Sequence, residues 1–189
     1  MTRLSETLDA IDAANSKDPT LENGQPAALL YGRRMSERLA QFQPDASEPL
    51  QIAIRGQHIE RWTIARSAYP MDKAGYYAWR NALKEVHADR LEAIMREKGY
   101  DDASIARVRS IVRKERVRSD AEAQTLEDIA ALVFLEHYAA DFAPKYEEAK
   151  VIDILRKTWR KMSEAGHAAA LKLPLAPGVG AVVQKALAA

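Results

Sequence analysis

Apolar residues along this chain recur at intervals of three and four, the period of an α-helix buried on one face. No stretch alternates in twos for long enough to make a half-buried strand. Breakers divide the pattern. Asn15 to Pro19 and the pair Asn23-Gly24 separate a first short helix from a second over about 27–42. The run Pro44-Asp-Ala-Ser-Glu-Pro49 supplies capping residues ahead of a third helix over about 50–65, which Ser67 to Pro70 closes. Asp72 opens a long helix to about Lys98, and Gly99 ends it as a left-handed residue just past the last turn. Asp101 or Asp102 caps a helix over about 103–116, and Ser119 or Asp120 one over about 121–138. After Pro144 a last strong helix covers about 147–162. Beyond Leu173, Pro174, Pro177, Gly178 and Gly180 lie among small apolar residues. Residues 1–173 therefore read as a single all-helical domain and 174–189 as a flexible C-terminal tail. The predicted fold class is all-α, a single-domain bundle of about seven helices centred on the helix that carries Ile129 to Leu135.

Composition narrows the chemistry. With 28 basic and 27 acidic side chains the formal charge is +1, so net charge points to neither nucleic acid nor a membrane surface. Cys is absent, which excludes disulfides and thiolates and leaves His, Asp, Glu and backbone oxygen as metal ligands. The N-terminal residues lack the apolar run of a secretory signal, and Ile129 to Leu135, the longest apolar stretch, falls well short of the roughly 20 residues that span a bilayer. A cytoplasmic location is expected.

Several ionisable side chains fall on faces that helical packing should bury. At about 100° per residue, Leu50, Ile54, Gln57, His58 and Arg61 share one arc. So do Trp79, Leu83, Val86, His87, Arg90 and Ile94 on the long helix, and Gln124, Asp128, Ala131, Leu132 and Leu135 on the helix from Ala121. Three helices thus each aim one metal-capable side chain inward: His58, His87 and Asp128. A buried carboxylate needs a cation, a strong donor or a proton, and Arg61 and Arg90 are the ordinary partners for Asp128. The other reading is a site in which His58, His87 and Asp128 hold a divalent metal (Mn, Fe or Mg). Arg61 and Arg90 would then bind a substrate phosphate through their planar forks.

That order of helical His, His and Asp resembles the HD-domain metal-dependent phosphohydrolases. The resemblance implies hydrolysis of a phosphorylated small molecule or nucleotide by metal-activated water. The chain departs from the His-Asp doublet of that superfamily, since His87 is followed by Ala88 and then Asp89, which points about 200° away from His87. Glu127 stands near enough to Asp128 to be a substitute ligand. His58-Ile-Glu-Arg61 and Lys161-Met162-Ser163 echo the two signatures of class I tRNA synthetases, but without the strand-to-helix glycine turn those need.

Longer phrases occur in order: Gln57-His-Ile-Glu-Arg-Trp62, Tyr69-Pro-Met71 with Trp79-Arg80, Gln124-Thr-Leu-Glu-Asp128, Leu132-Val-Phe-Leu-Glu-His-Tyr138 and Leu155-Arg-Lys-Thr-Trp-Arg-Lys-Met-Ser163. As a set they resemble the family catalogued as domain of unknown function 4202, over nearly all the chain to about Leu171. The resemblance implies an all-helical protein and carries no activity with it. Ala65 stands where that family is expected to have Pro.

Glu136 and His137 read as rim residues bonded to a neighbouring helix, and His167, just before the tail, carries no signal. The last strong helix sets Arg156, Lys157, Arg160 and Lys161 opposite an apolar stripe. This basic face supports an alternative function, a non-catalytic binding or scaffold protein that docks an anionic partner. Sequence-specific nucleic-acid binding is not expected, because the helix shows no aromatic stacking platform.

Overall fold

The computed structural model describes residues 1–175 and 177–187. Its contacts cluster in two compact units, Met1–Arg116 and Val117–Ala189. The described residues are all-α apart from one two-residue hairpin.

The first unit comprises α1 (Arg3–Asn15), a hairpin of β1 (Leu21–Glu22) and β2 (Gln25–Pro26), α2 (Ala27–Phe42), α3 (Glu48–Gly56), α4 (Lys73–Glu97) and α5 (Asp102–Arg113). The hairpin turns through Asn23 and Gly24, both at positive φ (52° and 75°), the backbone that an Asn-Gly pair tolerates best. Four helices begin on a side-chain oxygen that accepts a backbone N–H in the first turn: Ser47 from Leu50, Asp72 from Gly75 and Asp101 from Ser104, within the capping segments the sequence offers, and Thr2 from Ser5, which the sequence reading did not name. Gly99, at φ 74°, closes α4. Ile11, Met35, Leu50, Ile54, Ile59, Leu91 and Ile111 are fully buried in this unit. Each such side chain contributes about 1.5–3 kcal/mol relative to exposure.

The third helix stops at Gly56, well short of the expected residue 65. At Gly56 the backbone lies so close to α4 that an added Cβ would sit 2.4 Å from Leu91 Cδ2. Beyond it the chain bonds over three residues, Ile59 N–H to Gly56 O at 2.9 Å and Arg61 N–H to His58 O at 3.1 Å. Glu60 then turns left-handed at φ 51°, held by its N–H donating to the buried Asn15 Oδ1 at 3.0 Å. Contacts from α1 and α4 therefore override a helical periodicity that local residues alone would continue.

The second unit holds α6 (Ala121–Val133), a wide π-type turn over Phe134–Tyr138, α7 (Ala139–Phe142), α8 (Glu148–Trp159), α9 (Glu164–Ala170) and α10 (Pro177–Leu187). Leu126, Ile129, Leu132 and Val133 of α6 are wholly buried. The expected last helix ends at Trp159, three residues early, because Ser163 caps a new helix by accepting from Gly166 N–H at 3.0 Å. The segment from 174, expected as a loose tail, contains α10. This helix packs on α8, with Val179 buried and Lys185 Nζ 2.6 Å from Glu148 Oε1. Among the described residues no helix is long and apolar enough to cross a membrane.

Candidate functional site

The two histidines expected to meet do so, in the first unit. Their ring centroids are 6.0 Å apart and the planes are tilted by 46°. The turn after α3 brings Gln57, His58 and Arg61 to one side of a pocket. Arg80, Leu83, Lys84 and His87, spaced at three, four and seven along α4, form another wall, and Val112 and Lys114 at the end of α5 complete it. Lys114 reaches in from the left-handed residue that ends α5, at φ 60°.

His87 is 3% exposed, and its Nδ1 lies 2.7 Å from Ile59 O. Nδ1 must therefore carry the proton and donate to that carbonyl, which leaves Nε2 as a bare lone pair. Nε2 is buried and has no hydrogen-bond partner. Burial pushes the His87 pKa down to about 4, outweighing the Ile59 carbonyl, which raises it, while the nearby Arg61 charge lowers it further. His58 is driven well below the usual histidine range, first by burial and then by Arg61, His87, Lys114 and Arg80. Its ring stacks on Tyr31 with centroids 4.4 Å apart. Gln57 Nε2 approaches His58 Nε2 at 3.4 Å, and Gln57 Oε1 is buried without a partner.

The charge of this lining is one-sided. Arg61, Arg80, Lys84 and Lys114 face the pocket, both imidazoles are neutral at pH 7, and no carboxylate is among the described lining residues. Arg61 lies over the Trp79 ring, its Cζ 4.6 Å from the centroid, and the indole is fixed by donating to Ile64 O at 3.0 Å. Burial lowers the Arg61 pKa from its ordinary value, yet a guanidinium stays protonated. Four cationic side chains on one pocket lining make a surface suited to an anion, phosphate above all.

The other expected site residues serve elsewhere. Arg90 pairs with Glu60 at 2.8 Å and does not line the pocket. Asp89 pairs with Arg109 at 2.7 Å. Asp128 belongs to the second unit and is 1% exposed. It accepts from Ser163 N–H at 2.8 Å, Ser163 Oγ at 2.6 Å and Gln124 Nε2 at 3.1 Å, so donors there do the work expected of Arg61 or Arg90. Gly166 is pressed against this carboxylate, where a Cβ would sit 2.6 Å from Oδ1. Among the described residues no group of three or more His, Asp or Glu side chains is disposed to hold a metal ion.

On the expected basic face, Lys157 pairs with Asp153 at 2.5 Å, one turn away on α8. Arg160 and Lys161 are exposed beyond the helix end, and the Lys161 carbonyl accepts from Gln124 Nε2 at 2.8 Å. His137 Nε2 lies 3.3 Å from Glu136 Oε2. His167 stacks on Trp159 with centroids 4.0 Å apart and donates to its carbonyl.

Sequence reasoning missed Arg80, Lys84 and Lys114. The first two could have been found, since they stand seven and three residues before His87 on its own face. Lys114 could not, because it was expected inside a continuing helix.

Fold and site together define an all-α protein with a cation-lined pocket between helix walls of its first unit. The chain belongs to the family described as Domain of unknown function (DUF4202), whose model matches residues 5–183. No curated protein and no solved structure matches it.

Proposed function

We propose that the pocket of the first unit binds a phosphorylated small molecule or nucleotide through its phosphate. The observation that carries this reading is the convergence of Arg61, Arg80, Lys84 and Lys114 on a pocket lined by no carboxylate among its described residues. Guanidinium and ammonium groups provide charge-assisted hydrogen bonds to phosphate oxygens, each about twice as strong as a neutral one. Partial burial of Arg61 strengthens its attraction for an anion further.

Metal-dependent hydrolysis of that ligand, which the HD-like order of His58, His87 and Asp128 suggests, asks for Mn, Fe or Mg at the histidines. His87 Nε2 has the free lone pair that a metal ligand needs. The rest of the donor set does not fit a divalent cation. The lining supplies two neutral imidazoles and four positive charges, and Asp128 is engaged by Ser163 and Gln124 in the second unit. Phosphate recognition therefore stands without a metal step. The alternative of a scaffold docking through Arg156, Lys157, Arg160 and Lys161 is less supported, because the Lys157 charge is already met by Asp153.

Calorimetric titration with inorganic phosphate and with a nucleoside monophosphate tests the reading. Replacing Arg80 and Lys84 together by Gln should weaken both ligands at least about tenfold, as loss of charged hydrogen bonds predicts. Reversing Arg156, Lys157, Arg160 and Lys161 should leave them unchanged. Absence of binding by the wild type at low salt would sink the proposal. A phosphatase panel on untagged protein, with and without added Mn²⁺, decides whether binding leads to metal-dependent turnover.

A further inference from the structure

The pocket holds two buried acceptors that the protein leaves unpaired, Gln57 Oε1 and His87 Nε2. A buried acceptor without a donor is costly, and the four cations do not change that for an oxygen and a nitrogen they do not bond. A fully ionised phosphate cannot help, because it too only accepts. His87 has no freedom to reverse its role, since its one imidazole proton is committed to the Ile59 carbonyl at 2.7 Å. Gln57 is 6% exposed, and its amide nitrogen lies 3.4 Å from His58 Nε2. The site thus joins a cationic lining to acceptors that ask for hydrogen-bond donors.

We infer that the pocket is built for a phosphorylated polyol such as a sugar phosphate, whose hydroxyls donate to Gln57 Oε1 and His87 Nε2 while its phosphate meets Arg61, Arg80, Lys84 and Lys114. This rests on the phosphate-binding reading and sharpens it from the anion to the groups beside it. The low pKa of His87, about 4, keeps Nε2 an acceptor throughout the neutral range. A site shaped to receive hydroxyl protons also rejects analogues that lack them, because its acceptors are then left dry and unpaired. The discrimination comes from Gln57 and His87 and the bulk of the affinity from the cations, so the two can be varied separately.

Glycerol phosphate and propyl phosphate carry the same charge on the same length of carbon chain and differ in their free hydroxyls. Titrated into the intact protein, glycerol phosphate should bind at least about tenfold tighter than propyl phosphate, the difference expected for one acceptor satisfied or left bare. Gln57→Leu removes one acceptor and should shrink that ratio several-fold. Should the variant fail to fold, the ratio measured on the wild type decides alone. Equal affinity of the wild type for the two esters, with inorganic phosphate also bound, overturns this inference and leaves the phosphate reading intact. If the wild type binds neither ester nor inorganic phosphate, both fall together.

Discussion

Protonating His87 in the folded chain would put a positive charge into a buried site already ringed by four others, and that penalty ties stability to pH. The folded pKa is about 4 against an ordinary 6.5, so between these values the unfolded chain binds more protons than the folded one. By linkage the stability is full above pH 6.5 and falls as the pH drops toward 4. The loss is on the order of 3 kcal/mol from His87, at about 1.4 kcal/mol per unit. His58, also depressed, adds in the same direction. Urea midpoints measured at steps from pH 7 to 4 should decline over this window. His87→Gln should flatten the decline whatever it does to stability at pH 7, and an unchanged slope would show that His87 is not the group responsible. That this histidine points inward was legible from its spacing with Leu83 and Ile94. That its Nε2 lacks a partner was not, because the Ile59 carbonyl fixing the tautomer comes from a turn set by Asn15, more than 40 residues away.

Among the elements of the second unit, α6 and α9 are fastened by one small set of bonds. Ser163 uses its hydroxyl twice, accepting from Gly166 N–H to begin α9 and donating to Asp128 Oδ2 on α6. Its backbone N–H donates to the other carboxylate oxygen. Ser163→Ala removes a cap and leaves Asp128 one donor short, at a cost of about 1–3 kcal/mol. Asp128→Asn should cost a similar amount. Because both changes break the same bond, the double variant should lose clearly less than the sum of the two, as denaturant unfolding would show. Strict additivity would mean that the bond contributes nothing. The fragment Lys161-Met162-Ser163, so like a nucleotide-binding signature, is here the start of a helix. Caps and breakers made most element starts legible: α2 begins and ends where the periodicity predicts, and Asp72, Asp101 and Asp120 cap as read. The early end of α3 has a clear physical source. Gly56 against Leu91 and Asn15 against Glu60 are contacts between distant segments, and the period of a single helix does not contain them.

At the scale of the whole chain, the boundary between units falls in the connection from α5 to α6. Composition did not mark it, since the segment has no Pro or Gly and simply continues a charged pattern expected to stay helical to residue 116. The backbone marks it clearly: Lys114 and Arg116 both turn left-handed, at φ 60° and 53°, a conformation L-residues adopt reluctantly. Arg116 and Arg118 are exposed, and with Lys114 they set three trypsin sites within five residues, where few hydrogen-bonded turns must open for cleavage. Limited trypsin digestion should therefore cut first between Lys114 and Arg118, yielding fragments that end or begin within this segment when weighed by mass spectrometry. Lys114 also lines the pocket, so inorganic phosphate should slow cleavage after Lys114 more than cleavage after Arg118. Early cleavage inside α4 or α6 instead would contradict the two-unit organisation. Equal protection at both sites would separate the boundary, which would stand, from the assignment of Lys114 to the anion site, which would not.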